Sequence, residues 1–221
     1  MMLSPNEFHN AIYLDFEGEG RKRDGTVPMP HMAGLFRPNE TRKSGQYTCA
    51  FFKQSWKPAS NGIKVAQCVT FDELFAELAI ELEKKDGYLV YWTIHEQIIL
   101  QEYLSDELYA RLAPRLFNLH PIAKKYANRK RLFGSNMSAK KRTLEEFFAA
   151  MYSKRNPYPP FPLGAAKACR RIDKVCNTNN RWKRFSERQK AYVLDLVAYN
   201  QGDCRSTWLI AKRLGNFYDL A

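Results

Sequence analysis

No apolar run in this 221-residue chain approaches the roughly 20 residues that cross a bilayer, and residues 1–10 lack the basic-then-apolar plan of a secretory leader. Membrane insertion and export are therefore not expected, and the sequence predicts a soluble, cytoplasmic protein. Cysteine is scarce and scattered: Cys49, Cys68, Cys169, Cys176 and Cys204 are an odd number with no Cys-x-x-Cys pair, which argues for reduced thiols and against a zinc site. There is no Ser/Gly-rich linker and no internal repeat, and the length suits one sizeable core, so residues 1–221 are expected to form a single domain. Acid is almost missing from one stretch. Between Glu107 and Asp173 the only acidic residues are Glu145 and Glu146, whereas the same stretch carries Lys124, Lys125, Arg129, Lys130, Arg131, Lys140, Lys141 and Arg142. Residues 72–107 are conspicuously acidic. With a formal net charge of +12, this asymmetry predicts a polyanionic partner, nucleic acid, because each neutralised phosphate releases counterions. A clean basic amphipathic helix with an aromatic face is lacking, which disfavours a membrane surface.

The pattern of apolar residues reads as a mixed α/β fold. Residues 11–17 form a first strand, a glycine-containing turn follows over 18–26, and extended runs over 31–37 and 46–53 continue an antiparallel meander. Thr70 and Glu73 form a capping box, after which Leu74, Phe75, Leu78, Ala79 and Leu82 recur at helical spacing as far as Lys85. Asp86-Gly87 turns the chain into residues 88–92, a compact run of β-formers. The second half reads as helical over 96–103, 121–127, 143–152 and 186–214, the last capped by Ser186 with Gln189. Four prolines in residues 156–164 forbid a regular helix or central strand there and leave a loop.

Acidic residues inside apolar surroundings are the strongest signal. In Ala11-Ile12-Tyr13-Leu14-Asp15-Phe16-Glu17-Gly18, side chains alternate, so Asp15 and Glu17 share one face while Leu14 and Phe16 pack on the other. Two carboxylates so placed repel each other and resist desolvation unless a cation lies between them, and their oxygens suit Mg²⁺ or Mn²⁺. In the last helix, Tyr199 and Asp203 are four residues apart and therefore lie on one face. Glu96 follows the strand over 88–92 at the start of a helix, where ligands gather in α/β sheets; a first-turn carboxylate also answers the helix dipole, so both readings stand. His95 beside it has no His partner at ligand spacing.

Taken together, Asp15-x-Glu17, Tyr91-Trp92-Thr93-Ile94-His95-Glu96 and Tyr199-x-x-x-Asp203 resemble the three motifs of the RNase H-like nucleases of the DEDD type. The branch is the one whose third motif carries Tyr (DEDDy), which includes the proofreading exonuclease domains of DNA polymerases. The middle motif is most similar to that of predicted RNase H-like nucleases once grouped with RecB-type enzymes. The commoner middle acid is Asp in an Asn-x-x-aromatic-Asp setting; here it is Glu96, preceded by His95, with Asp106 and Asp173 as fallback acids. The resemblance implies an RNase H-like mixed sheet, a three-stranded antiparallel meander plus parallel strands, flanked by helices. It further implies two Mg²⁺ or Mn²⁺ ions: Asp15 bridging them, Glu17 and Asp203 completing the first site, Glu96 helping to hold the second, and Tyr199 orienting the attacking water. The activity it implies is 3′-to-5′ exonucleolytic cleavage of single-stranded or frayed nucleic acid. An endonuclease on the same chemistry and a non-catalytic nucleic-acid-binding module with a relic site are the alternatives.

Overall fold

The computed structural model describes residues 7, 10–39, 43–134, 142–152 and 163–218, with side chains of the final helix as far as residue 215. Six strands, β1 (Ile12–Glu17), β2 (Met32–Pro38), β3 (Gly45–Phe51), β4 (Ala66–Cys68), β5 (Leu89–Tyr91) and β6 (Leu116–Asn118), form one sheet in the order β4-β3-β2-β1-β5-β6. The first three make the expected antiparallel meander, with Asp15 opposite Gly34 and Gly34 opposite Cys49. On the other edge of β1, β5 and then β6 join in parallel, and β4 lies parallel to β3. The fold is thus α/β with a mixed sheet. β4 and β6 have three residues each, too few to show an alternation in sequence.

Helices cover both faces. Against one face lie α1 (Phe71–Lys85), α2 (Ile94–Tyr103) and α3 (Asp106–Leu112); against the other lie α4 (His120–Lys130), α5 (Leu144–Tyr152), α6 (Ala165–Thr178) and α7 (Glu187–Tyr218). The alternation along β1 divides its side chains between them. Ile12 and Leu14 pack with Leu74, Phe75, Leu78 and Leu82 of α1, whereas Tyr13 packs with Val90, Phe147, Leu196 and Trp208 on the other side. Each such fully buried side chain contributes about 1.5–3 kcal/mol. The Thr70 capping box is present, and Asp86 ends α1 in the left-handed conformation at φ 47° before Gly87. The Ser186–Gln189 box opens α7 in the same reciprocal way. The helices α3 and α6 have no counterpart among the sequence expectations. Residues 156–162 of the proline-rich loop lie outside the described residues; Gly164, at φ 72°, leads into α6.

Candidate metal centre

Asp15 and Glu17 project from β1 toward α7, which crosses the sheet over β1 and β2 and presents Asn200 and Asp203 three residues apart on its inner face. Asp15, Glu17 and Asp203 each offer a carboxylate oxygen, and these oxygens all lie within 4.8 Å of one another. Glu17 and Asp203 are buried, at 5% and 8% exposure, so mutual repulsion is not relieved by water. Burial, and then the charges of Glu17 and Asp203, hold Asp15 well above the usual carboxylate range. Burial followed by Asp203 pushes Glu17 up to about 8, and burial followed by Glu145 pushes Asp203 up to about 7. Three carboxyls that resist ionising beside one another are a site that lacks positive charge.

Asn200 is the residue that fixes this arrangement. It is completely buried, and its Nδ2 donates to Asp15 Oδ2 at 2.7 Å and to the Asp15 carbonyl at 3.2 Å. Its Oδ1 accepts from the Tyr47 hydroxyl at 2.8 Å, so both ends of the amide are held. Gly34 makes room for it. A Cβ at that position would lie 1.6 Å from Asn200 Oδ1 and 2.7 Å from its Cγ. Gly34→Ala is accordingly expected to displace the amide, to cost on the order of 1–3 kcal/mol through overpacking and to weaken Mn²⁺ binding at least about tenfold. Calorimetric titration of the folded variant checks this. Wild-type affinity would mean that the amide does not organise the carboxylates.

Tyr199 and Asp203 do share a helix face, and the phenol beside the Asp203 carboxyl partly offsets its rise. The Tyr199 hydroxyl lies 3.5 Å from Glu145 Oε1 of α5. Glu145 was not among the sequence-derived candidates, nor was Asn200. The signal for Glu145 was present: of the two acids in the basic half, Glu146 is consumed by the Thr143 cap and by Arg142, which leaves Glu145.

Glu96 is buried at 6% exposure and near enough for its charge to act on Asp15, Glu17 and Asp203, yet it is not one of the three clustered carboxylates. Its Oε2 accepts from the Thr93 backbone N–H at 3.0 Å and from the Thr93 hydroxyl at 2.7 Å, completing a capping box at the start of α2. Burial raises its carboxyl against the lowering effect of those bonds. The parallel register, Tyr13 with Val90, explains the proximity, since the chain leaves β5 for α2 beside Asp15. The fallback acids are elsewhere. Asp173 accepts from Lys53, Trp56 and His31, and these donors bring it below its ordinary value although burial alone would raise it. Asp106 is exposed in the first turn of α3 behind the Ser105 cap. His95 is half-buried, its backbone N–H bonded to Thr93 Oγ1.

Of the basic residues singled out in sequence, Lys124, Lys125, Arg129 and Lys130 lie on α4, and Arg131 caps its C-terminus in the left-handed region at φ 50°. Several of these face the negative end of that helix, a sufficient local reason for them. Arg142 is ion-paired to Glu146 at 2.6 Å and covers the Phe133 ring. Lys140 and Lys141 lie outside the described residues.

No model of a known protein family, no characterised protein and no solved structure matches this chain. Among the described residues, no helix is long and apolar enough to cross a membrane. The carboxylate chemistry therefore carries the functional reading.

Proposed function

We propose that this chain is a divalent-metal-dependent nuclease of the RNase H-like DEDD type, which hydrolyses phosphodiester bonds and removes nucleotides from the 3′ end of single-stranded or frayed nucleic acid. The single observation that carries this reading is the Asp15–Glu17–Asp203 cluster, buried and held in register by an asparagine. The sheet supports it too, as an antiparallel meander continued by parallel strands. The donor set fits a hard cation: clustered carboxylate oxygens, no soft ligand among them, and raised proton affinities that a divalent charge would reverse.

Asp15, Glu17 and Asp203 would hold the first ion. Glu96 has Oε2 committed to Thr93 and offers its other oxygen to a second. Bound Mg²⁺ or Mn²⁺ supplies neutralisation of the scissile phosphate and a water of lowered pKa. The residues do the rest. Asn200 orients Asp15, and Tyr199, kept a neutral phenol by burial and by the surrounding carboxylates, is a hydrogen-bonding group at the cluster's edge suited to holding the attacking water.

The test is incubation of the protein with 5′-labelled single-stranded DNA and RNA of one sequence, in Mn²⁺ and in EDTA. A ladder descending from the 3′ end in Mn²⁺ alone is expected. Internal cuts before any shortening would make it an endonuclease. Salt-sensitive binding without cleavage would leave a non-catalytic nucleic-acid-binding module.

A further inference from the structure

Residues 164–190 carry nine Lys or Arg against two acids, Asp173 and Glu187, a surplus of +7 in a chain whose net charge is +12. Neither acid pairs with the exposed cations of α6 in this stretch. Asp173 turns inward to Lys53, Trp56 and His31, and Glu187 is paired with Lys190. The helix α6 within this stretch is two-faced. Ala168, Cys169, Ile172, Val175 and Cys176 are buried, while Lys167, Arg170 and Lys174 are exposed at spacings of three and four residues, which places them about 5–6 Å from one to the next along one side. Beyond its C-terminus, Arg181, Lys183 and Arg184 are exposed as well. None of these six forms an ion pair or a side-chain hydrogen bond among the described residues.

We propose that this basic ridge, the outer side of α6 continued by residues 181–184, is the track that holds the sugar-phosphate backbone of the strand whose end enters the carboxylate cluster. The assignment rests on the nuclease reading for the destination of the strand, and on the ridge itself for the binding. The ridge is fastened to the site from beneath. Asp173, on the inner side of α6, is bonded to His31 Nε2 at 3.1 Å, and the His31 backbone N–H donates to the Glu17 carbonyl at 2.8 Å. The helix itself packs against β1, the strand that carries Asp15 and Glu17. The cations therefore stand on the outer side of a helix whose inner side rests on the strand of the carboxylates. Evenly spaced point charges on a helix recognise successive phosphates without reading bases, so the partner is single-stranded nucleic acid of any sequence. This places the binding surface on α6 rather than on the basic block from Lys124 to Arg142, of which Lys124, Lys125, Arg129 and Lys130 lie on α4.

Equilibrium binding of fluorescein-labelled dT20 and rU20 in EDTA, followed by anisotropy from 50 to 300 mM salt, tests the ridge. For K167E/R170E/K174E the slope of log K against log salt is expected to flatten by about 2, about 0.7 for each of three lost phosphate contacts on a single strand. The neutral set K167Q/R170Q/K174Q should flatten it equally, and serves if charge reversal does not fold. K124E/K125E/R129E should change the slope by less than half as much. An unchanged slope in the ridge variants, or a larger loss in the α4 variant, would overturn the proposal, as would a wild type that binds neither strand. Hydrolysis of the same two oligonucleotides by wild type in Mn²⁺ is read separately. Cleavage with an unchanged slope sinks the ridge and spares the nuclease, whereas a flattened slope without cleavage does the reverse. The dT20 and rU20 arms show which backbone the ridge serves.

Discussion

Asp15→Asn and Asp203→Asn, made separately, are each expected to lower the initial rate of Mn²⁺-dependent phosphodiester cleavage by at least about a thousandfold without changing far-UV circular dichroism or elution volume. The oxygens of Asp15, Glu17 and Asp203 lie within 4.8 Å of one another, so removing one formal charge leaves a site with a weaker claim on a divalent ion and one ligand fewer to position it. Charge stabilisation by such an ion is worth several kcal/mol, and every 1.4 kcal/mol is about tenfold in rate. The substitution is nearly isosteric, and at Asp15 the amide oxygen can still accept from Asn200, so the local packing survives. Asp106→Asn is the control: that carboxylate is exposed on α3, and its loss should leave the rate within about twofold. A rate above one tenth of wild type in either of the two site variants would sink the metal-centre reading.

What made Asp15 and Glu17 legible was their interruption of an apolar strand. Alternation then fixed which face they shared, and the cores on the two sides of β1 bear it out with Leu14 on one and Tyr13 on the other. The caps of α1 and α7 were legible for a similar reason, being local hydrogen-bond chemistry written in four residues. Asn200 and Gly34 were not. Asn200 matters because it reaches β1 from a helix 185 residues away in the chain, and nothing local distinguishes it from a helical residue of middling propensity. Even so, a polar side chain on the line of Leu196, Val197 and Cys204 was a trace of it, and a lone glycine within a run of β-formers was a trace of Gly34. The helix α6 also had a trace, its apolar residues recurring at helical spacing, obscured by the arginines between them.

Glu96 shows where local and long-range readings compete for one side chain. Thr93-x-x-Glu96 is a capping box by local chemistry, and the structure satisfies it with Oε2; the same group is near enough for its charge to act on Asp15 without joining the three clustered carboxylates. The proximity arises because the turn after β5 is also the start of α2. The basic block is read less directly, since charge counted along a sequence does not say which face carries it. On α4 the cations cluster toward a helix C-terminus, whereas on α6 the alternation with buried Cys169, Ile172 and Cys176 sends them to one exposed side.

Without metal, the protein is expected to melt at least about 5 °C lower at pH 8 than at pH 5, the reverse of what a chain with stabilising carboxylate pairs would do. In the unfolded chain the carboxyls of Asp15, Glu17 and Asp203 lose their protons near pH 4. In the folded chain burial and mutual repulsion keep them protonated, Glu17 until about 8 and Asp203 until about 7. Between those limits the native state holds more protons than the unfolded state, so stability falls as pH rises, by about 1.4 kcal/mol for each unit that separates the two values of a group. One kcal/mol moves the midpoint of a chain this long by roughly 2–4 °C, so even a partial effect is measurable. Carboxyls of the opposite kind, such as Asp173 and Glu81 with their cationic partners, add stability above pH 4 and lose it only below, outside this window. His31, His95 and His120, held below the ordinary imidazole value chiefly by burial, add stability as pH rises within it and offset part of the fall. A divalent ion should reverse the trend, because it replaces the retained protons: at pH 8 a concentration of Mn²⁺ about a hundredfold over its dissociation constant adds about 2.7 kcal/mol, and at pH 5 competition from protons makes the gain smaller. In Asp203→Asn the fall between pH 5 and 8 should shrink and the response to Mn²⁺ should largely disappear. Thermal melts in EDTA and in Mn²⁺ at the two pH values decide it; a wild-type midpoint in EDTA that rises from pH 5 to 8, or an equal Mn²⁺ gain in Asp203→Asn, would show that the three carboxylates are not the buried, metal-seeking cluster described above.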